Sequence, residues 1–408
     1  MVRRWRRGGR CNKTEVGVES TTTLFEQLTL LVAVGLLGPA LAGAIPSVVG
    51  ELAVGAIVGT TGFGWINAGT GPFPAFYALG FSMLMLTAGT HVDIQSRTLR
   101  SGFFRGVRAF AVTAVLALGA GFVVAAATGL DKPLFLGVLI AGGSAAVAFP
   151  IIEERGLSGP TIDFLIAWIA IADASTVIVM PLTLSGNSSV GLALLGDAGV
   201  LVVGAAVLAV MLRVETTWVA RGAAARSIRE GWALHLRISV LLLVGLSAIA
   251  AVAGASTLLA GFVAGAVLVR LHKSKRLDIQ FTGLANGFFV PLFFVLLGAK
   301  LDLRALFGDA HALVLALAMG VAACVVHVVA AMVAAPAPRR WVSGLSASAQ
   351  LGLPAAAASI GLQTQTLSPA IASAIVAGAC LSLIPATVGS VLLARTLPAR
   401  HPLGSDRD

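Results

Sequence analysis

The chain has 408 residues, of which 57% are hydrophobic and 11% charged, against about 25% charged in an ordinary soluble domain. So few charges cannot cover a soluble body of this length, and lipid is the expected solvent for most of it. The net charge of +10 does not signal nucleic acid: Lys and Arg fall in short stretches between apolar runs, without aromatic–basic interleaving.

Residues 1–23 are polar and basic (Arg3, Arg4, Arg6, Arg7, Arg10, Lys13) and read as a flexible extension. The apolar run that follows is too long for the core of a signal peptide. A spanning helix needs roughly 20 mostly apolar residues. On that measure residues 24–396 hold about thirteen candidate spans: 24–45, 46–65, 73–92, 103–128, 133–152, 161–184, 190–213, 233–253, 256–271, 281–301, 310–334, 341–362 and 369–396. The gaps between them are too short for a soluble domain, and residues 397–408 form a short tail. The expectation is an all-α polytopic membrane protein.

Nineteen of the 28 Lys and Arg residues lie on the odd-numbered connections and the tail, whereas the even-numbered ones hold only Lys132, Lys300 and Arg304. The positive-inside rule then puts the odd connections and the C-terminus in the cytoplasm and the N-terminus outside. The basic extension runs against this, but the asymmetry is spread over many loops and outweighs it. A multi-pass protein of the cell's inner (plasma) membrane is expected.

Thirteen spans divide as six, one and six, and an odd linker helix inverts the second half relative to the first. The fifth span is interrupted by Gly142, Gly143 and Pro150, and the twelfth by Gly352 and Pro354. Interrupted spans in corresponding positions of two inverted halves point to a transport site near the bilayer midplane. The backbone groups freed there must face protein or water, since lipid cannot satisfy them.

Asp173 is the leading site residue, about midway along the sixth span in IAIADASTVIV. A carboxylate at the bilayer centre costs at least ~2.5–3.5 kcal/mol on insertion scales. There it can hold a proton or a hard monovalent cation, not both. Thr176, one turn on, offers an oxygen ligand or bonds back to its own helix. His327, in CVVHVV of the eleventh span, reads equally as a proton relay or charge partner and as a neutral ring bonded to a carbonyl. Glu51 in VVGELAVG lines a cation entry or supports an interface. Ser144, Ser348 and Gln350 stand at the two interruptions and either ligate an ion or satisfy exposed backbone. Cys324 and Cys380 lie in apolar runs, as small buried side chains. No phosphate-binding loop, CxxC or HExxH occurs, so no cofactor, resident metal or enzymatic activity is expected.

These residues also carry a resemblance. PSVVGELAVGAIVGTTGFGWI, FSMLMLTAGTHVD, GGSAAVAFPIIEERG and PLFFVLLGAKLDL resemble helices of the monovalent cation:proton antiporter-2 family, and the likeness runs from about Leu24 to Thr396. The resemblance implies a sodium/proton antiporter fold, a homodimer, alternating access and an ion-site carboxylate at Asp173. The chain departs from the family pattern in having Ala172 before that acid, where Asn or Asp is usual. It also has His327 where Lys or Arg is usual. Many members also carry a cytoplasmic nucleotide-binding domain, and none is expected within these 408 residues. With one midplane carboxylate, the simplest scheme is one proton per Na⁺ or K⁺. Proton-coupled efflux of an organic cation or other small molecule on the same fold is the alternative. A passive channel or a non-transporting scaffold is the rival of another class.

Overall fold

The structure, a computed structural model, describes residues 25–26, 28–35, 47–90, 97–144, 157, 159–184, 190–215, 217–230, 232–252, 257–271 and 283–396. The expected terminal extension and tail, and Pro150, lie outside the described residues.

The helices in chain order are α1 (Ser47–Val58), α2 (Phe73–Thr90), α3 (Arg97–Thr128), α4 (Pro133–Ala141), α5 (Pro160–Leu184), α6 (Val190–Glu215), α7 (Trp218–Glu230), α8 (Leu234–Val252), α9 (Thr257–Leu271), α10 (Val290–Lys300), α11 (Leu303–Gly308), α12 (Ala310–Ala334), α13 (Arg340–Ala347), α14 (Gly352–Gln363) and α15 (Pro369–Thr396). Among the described residues, seven helical segments are long and apolar enough to cross a membrane, and four shorter helices are also apolar. Their outer faces remain apolar: Leu317, Val321 and Val325 form an exposed stripe on α12, opposite buried Met319, Ala323 and Val326. A helix that is apolar all round has its second face in lipid, and the chain is a multi-pass membrane protein.

Packing sorts the helices into two bundles. The first joins α1, α2, α8, α9 and α10; the second joins α3, α4, α5, α12, α13, α14 and α15; α6 leans on the first through α9. In the first bundle glycine sets the spacing. A side chain at Gly298 would run into the Leu52 carbonyl of α1, and one at Gly265 into the Leu86 carbonyl of α2. Small residues let backbones approach this closely without lipid between them.

Four details differ from the reading of the sequence. The second span is helical only to Val58; residues 59–65 turn back, with Thr61 Oγ1 donating to the Leu301 carbonyl at 2.8 Å. Gly64, at φ +69°, supports that turn, since L side chains are strained there. The tenth span opens with a π-helical turn, Ala285–Phe289, ahead of Pro291, whose missing N–H cannot continue the α-helical ladder. The connection between the seventh and eighth spans contains α7, an Arg-bearing helix too short and polar to register as a span. The interruption of the twelfth span falls at residues 348–351, ahead of Gly352 and Pro354. Those two residues open α14, where a proline costs no hydrogen bond.

Candidate ion site at the two helix interruptions

The chemistry-bearing residues of the second bundle converge where α4 and α13 stop. Helix α4 ends at Ala141 because Gly142 turns extended (φ −60°, ψ 157°), leaving only its own N–H bonded back, to Leu139 O at 3.2 Å. The last carbonyls of a helix have no partner within it. Here Gln350, from the other interruption, supplies the donor: its Nε2 donates to the Ile140 carbonyl at 2.5 Å and reaches the Gly142 carbonyl at 3.4 Å. Gln350 is itself pinned, its backbone N–H donating to Ser382 Oγ of α15 at 3.1 Å. One buried side chain therefore ties the two interrupted helices together.

The same segment lies on α5. A Cβ added at Gly143 would sit 3.4 Å from the Ile169 carbonyl and 3.6 Å from Ala172, and one at Gly142 would sit 3.8 Å from Thr176 Oγ1. Ile169, Ala172, Asp173, Thr176 and Met180 are buried while Ile178 and Val179 are exposed, so this half of the helix turns one face inward. Asp173, 6% exposed, thus belongs to the stretch of α5 that the interruption covers. Helix α4 brings its carbonyl end and α14 its N–H end to this place, and the partial charges of such ends are part of its electrostatics.

The other expected site residues separate cleanly. Thr176 Oγ1 donates to the Ala172 carbonyl of its own helix at 2.7 Å, the backbone-bonded alternative. Ser348 Oγ likewise donates to Leu345 O at 2.8 Å and completes the end of α13. Ser144 is buried directly after the two glycines. His327 is buried on α12, with Nδ1 2.9 Å from the Ala323 carbonyl and its ring stacked on Trp168 of α5 at 5.5 Å and 28°. Glu51 stands elsewhere, on α1, which packs chiefly against α10; it is 3% exposed, and among the described residues its Oε2 has no hydrogen-bond partner.

Two features escaped the sequence. Asp197, 5% exposed and two turns into α6, is a second buried acid in a spanning helix, so with Glu51 the described residues hold three, and Asp173 is not alone. Its signal was present, an Asp inside an otherwise apolar run of α6. The second feature is the Lys300 ammonium, 3.7 Å from the centroid of the Tyr77 ring, which joins α10 to α2; no sequence spacing marks that pair.

The architecture is an all-α multi-pass membrane fold with two interrupted helices tied to each other. It superposes on the sodium proton antiporter MjNhaP1 of Methanocaldococcus jannaschii with a TM-score of 0.66, covering 93% of this chain and 99% of that one at 19% identity. The sodium/hydrogen exchanger transmembrane family matches residues 28–394, and the chain belongs to that family. It is 27% identical over 366 residues to the putative Na(+)/H(+) antiporter YjbQ of Bacillus subtilis, covering 83% of this chain and 58% of YjbQ. A Na(+)/H(+) antiporter of Enterococcus hirae is 24% identical over 271 residues, 63% of this chain and 67% of that protein. The chain thus spans little more than half the length of the first of these relatives.

Proposed function

We propose that the chain exchanges a monovalent cation, Na⁺ or K⁺, for protons across the membrane by alternating access, with the Asp173 carboxylate as the shared site. One observation carries this reading: a buried acid on α5 lies where a helix interruption brings polar backbone ends into the protein interior, in a chain of the sodium/hydrogen exchanger family. A carboxylate there is neutralised by a proton or a desolvated cation, and coupling follows when each leaves before the other binds. The second bundle would carry the site past the first, with the odd connections cytoplasmic and two chains forming a homodimer.

A second reading keeps the fold and changes the cargo to an organic cation or other small molecule. A cavity of about 340 Å³ favours it, lying between α2, α8 and α14 and lined by Tyr77, Phe81, Ser82, Ser247, Ser359 and Gln363. Proton-gradient dequenching in inverted vesicles separates the two. Cation exchange predicts dequenching by Na⁺, K⁺ or Li⁺ in wild type and none in Asp173→Asn. Dequenching only by an organic cation supports the second reading, and unsaturable flux without proton movement would indicate a channel.

A further inference from the structure

One polar atom beside the interruption is unused. With Nδ1 donating to the Ala323 carbonyl at 2.9 Å, the neutral His327 ring carries its proton on Nδ1, and Nε2 is a bare lone pair. Among the described residues that nitrogen is buried without a partner. The Gly142 backbone lies close to the same ring, and among the described residues Gly142 O has one side-chain contact, from Gln350 Nε2 at 3.4 Å. Trp168 cannot supply the missing donor: its ring is stacked on the imidazole, and its Nε1–H is itself buried without an acceptor. A second proton on the ring would give Nε2 a hydrogen to donate, and the Gly142 carbonyl is an acceptor at hand.

We propose that His327 is a proton-dependent tie between α12 and the end of α4. Protonated, it donates to Ala323 O on one side and Gly142 O on the other and holds the interruption in this position. Neutral, it lets go of Gly142. The tie rests on the exchange reading above, since it acts on the segment that covers Asp173. His327 is then a positioning residue that senses the proton without carrying cargo. A fixed cation at this point would be permanently tied; an imidazole can release.

The ionisable groups on the surrounding elements are few. Helix α4 brings none, and α5 brings Asp163 and Asp173. Helix α3 brings Arg97 and Arg100 in its first turn, then Arg105 and Arg108, the last spent on the Ala334 carbonyl, and α13 brings Arg340, spent on Met332 O. Cys324 and His311 lie on α12 itself, Cys380 and Arg395 on α15, and Arg304 on α11. Of these, Asp173 lies on the helix against which His327 stacks, five residues or about 7.5 Å along from Trp168.

The test uses the full chain, reconstituted for transport and in detergent for amide hydrogen–deuterium exchange, across the pH range where histidine titrates. In wild type, residues 138–144 should be protected about tenfold more at the acid end, after correction for intrinsic exchange, the scale of one charge-assisted hydrogen bond. His327→Lys should make that protection independent of pH and flatten the matching limb of the transport profile. His327→Gln, a neutral donor of similar reach, should do the same, and it decides the matter alone if the lysine variant does not fold. Wild-type pH dependence of protection in both folded variants overturns the tie. If wild type moves no cation yet shows protection that the variants abolish, the exchange reading fails and the tie stands.

Discussion

The two bundles are built from the same kinds of residue and solve different problems. In the first, glycines on α1, α2, α9 and α10 bring backbones into contact, Gly55 against Val295 and Gly89 against Phe262, and aromatic rings such as Tyr77, Phe81 and Phe293 fill the space between. In the second, two helices stop inside the protein, and side chains finish the hydrogen bonds that the helices abandon. The difference teaches where substitutions should fall on stability and where on transport. Close packing fails when volume is added; a polar junction fails when a partner is removed.

The largest expected effect is at the junction. Asp173→Asn should reduce cation-dependent proton movement to that of protein-free liposomes, with a melting temperature close to wild type. In the packed bundle the pattern should reverse: Gly298→Leu forces α10 off the Leu52 carbonyl. It should destabilise by about 1–3 kcal/mol, read as a lower melting temperature, while the fraction that stays folded still exchanges. Gln350→Leu stands between the two. It strips the donor from Ile140 O and Gly142 O and should lower the exchange rate on the order of tenfold, the scale of losing an outer-sphere hydrogen bond. Thr176→Val should be the mildest. Its hydroxyl is spent on Ala172 O, and the rate should change by less than about twofold, as for a hydroxyl bonded to its own helix. A large loss at Thr176 would move that oxygen into the ion site and blur the contrast.

Much of this was readable in the chain itself, for reasons that differ by residue. The spanning helices announce themselves because lipid demands long apolar runs, and Asp173 stands out because so few acids interrupt them. Gly142 and Gly143 mark the first interruption because glycine leaves a helix cheaply. The second interruption was read a few residues late. Gly352 and Pro354 look like breakers, yet they sit in the first turn of α14, where a helix has no use for their N–H groups. That Gln350 satisfies exposed backbone was one of its two readable roles, but its partners were not readable, because Ile140 and Gly142 are more than two hundred residues away. Helix α7 was missed because its polar, Arg-bearing sequence fits a cytoplasmic loop as well as a surface helix.

The central claim is that cation and proton take turns on one carboxylate. The most direct measurement is the apparent affinity of wild-type protein for its cation, taken in proteoliposomes as internal and external pH are lowered together. Competition predicts that the KM for the cation rises steadily with proton concentration, while the rate at saturating cation is preserved. A KM that stays constant as pH falls, with only the maximal rate declining, would contradict a shared site at Asp173.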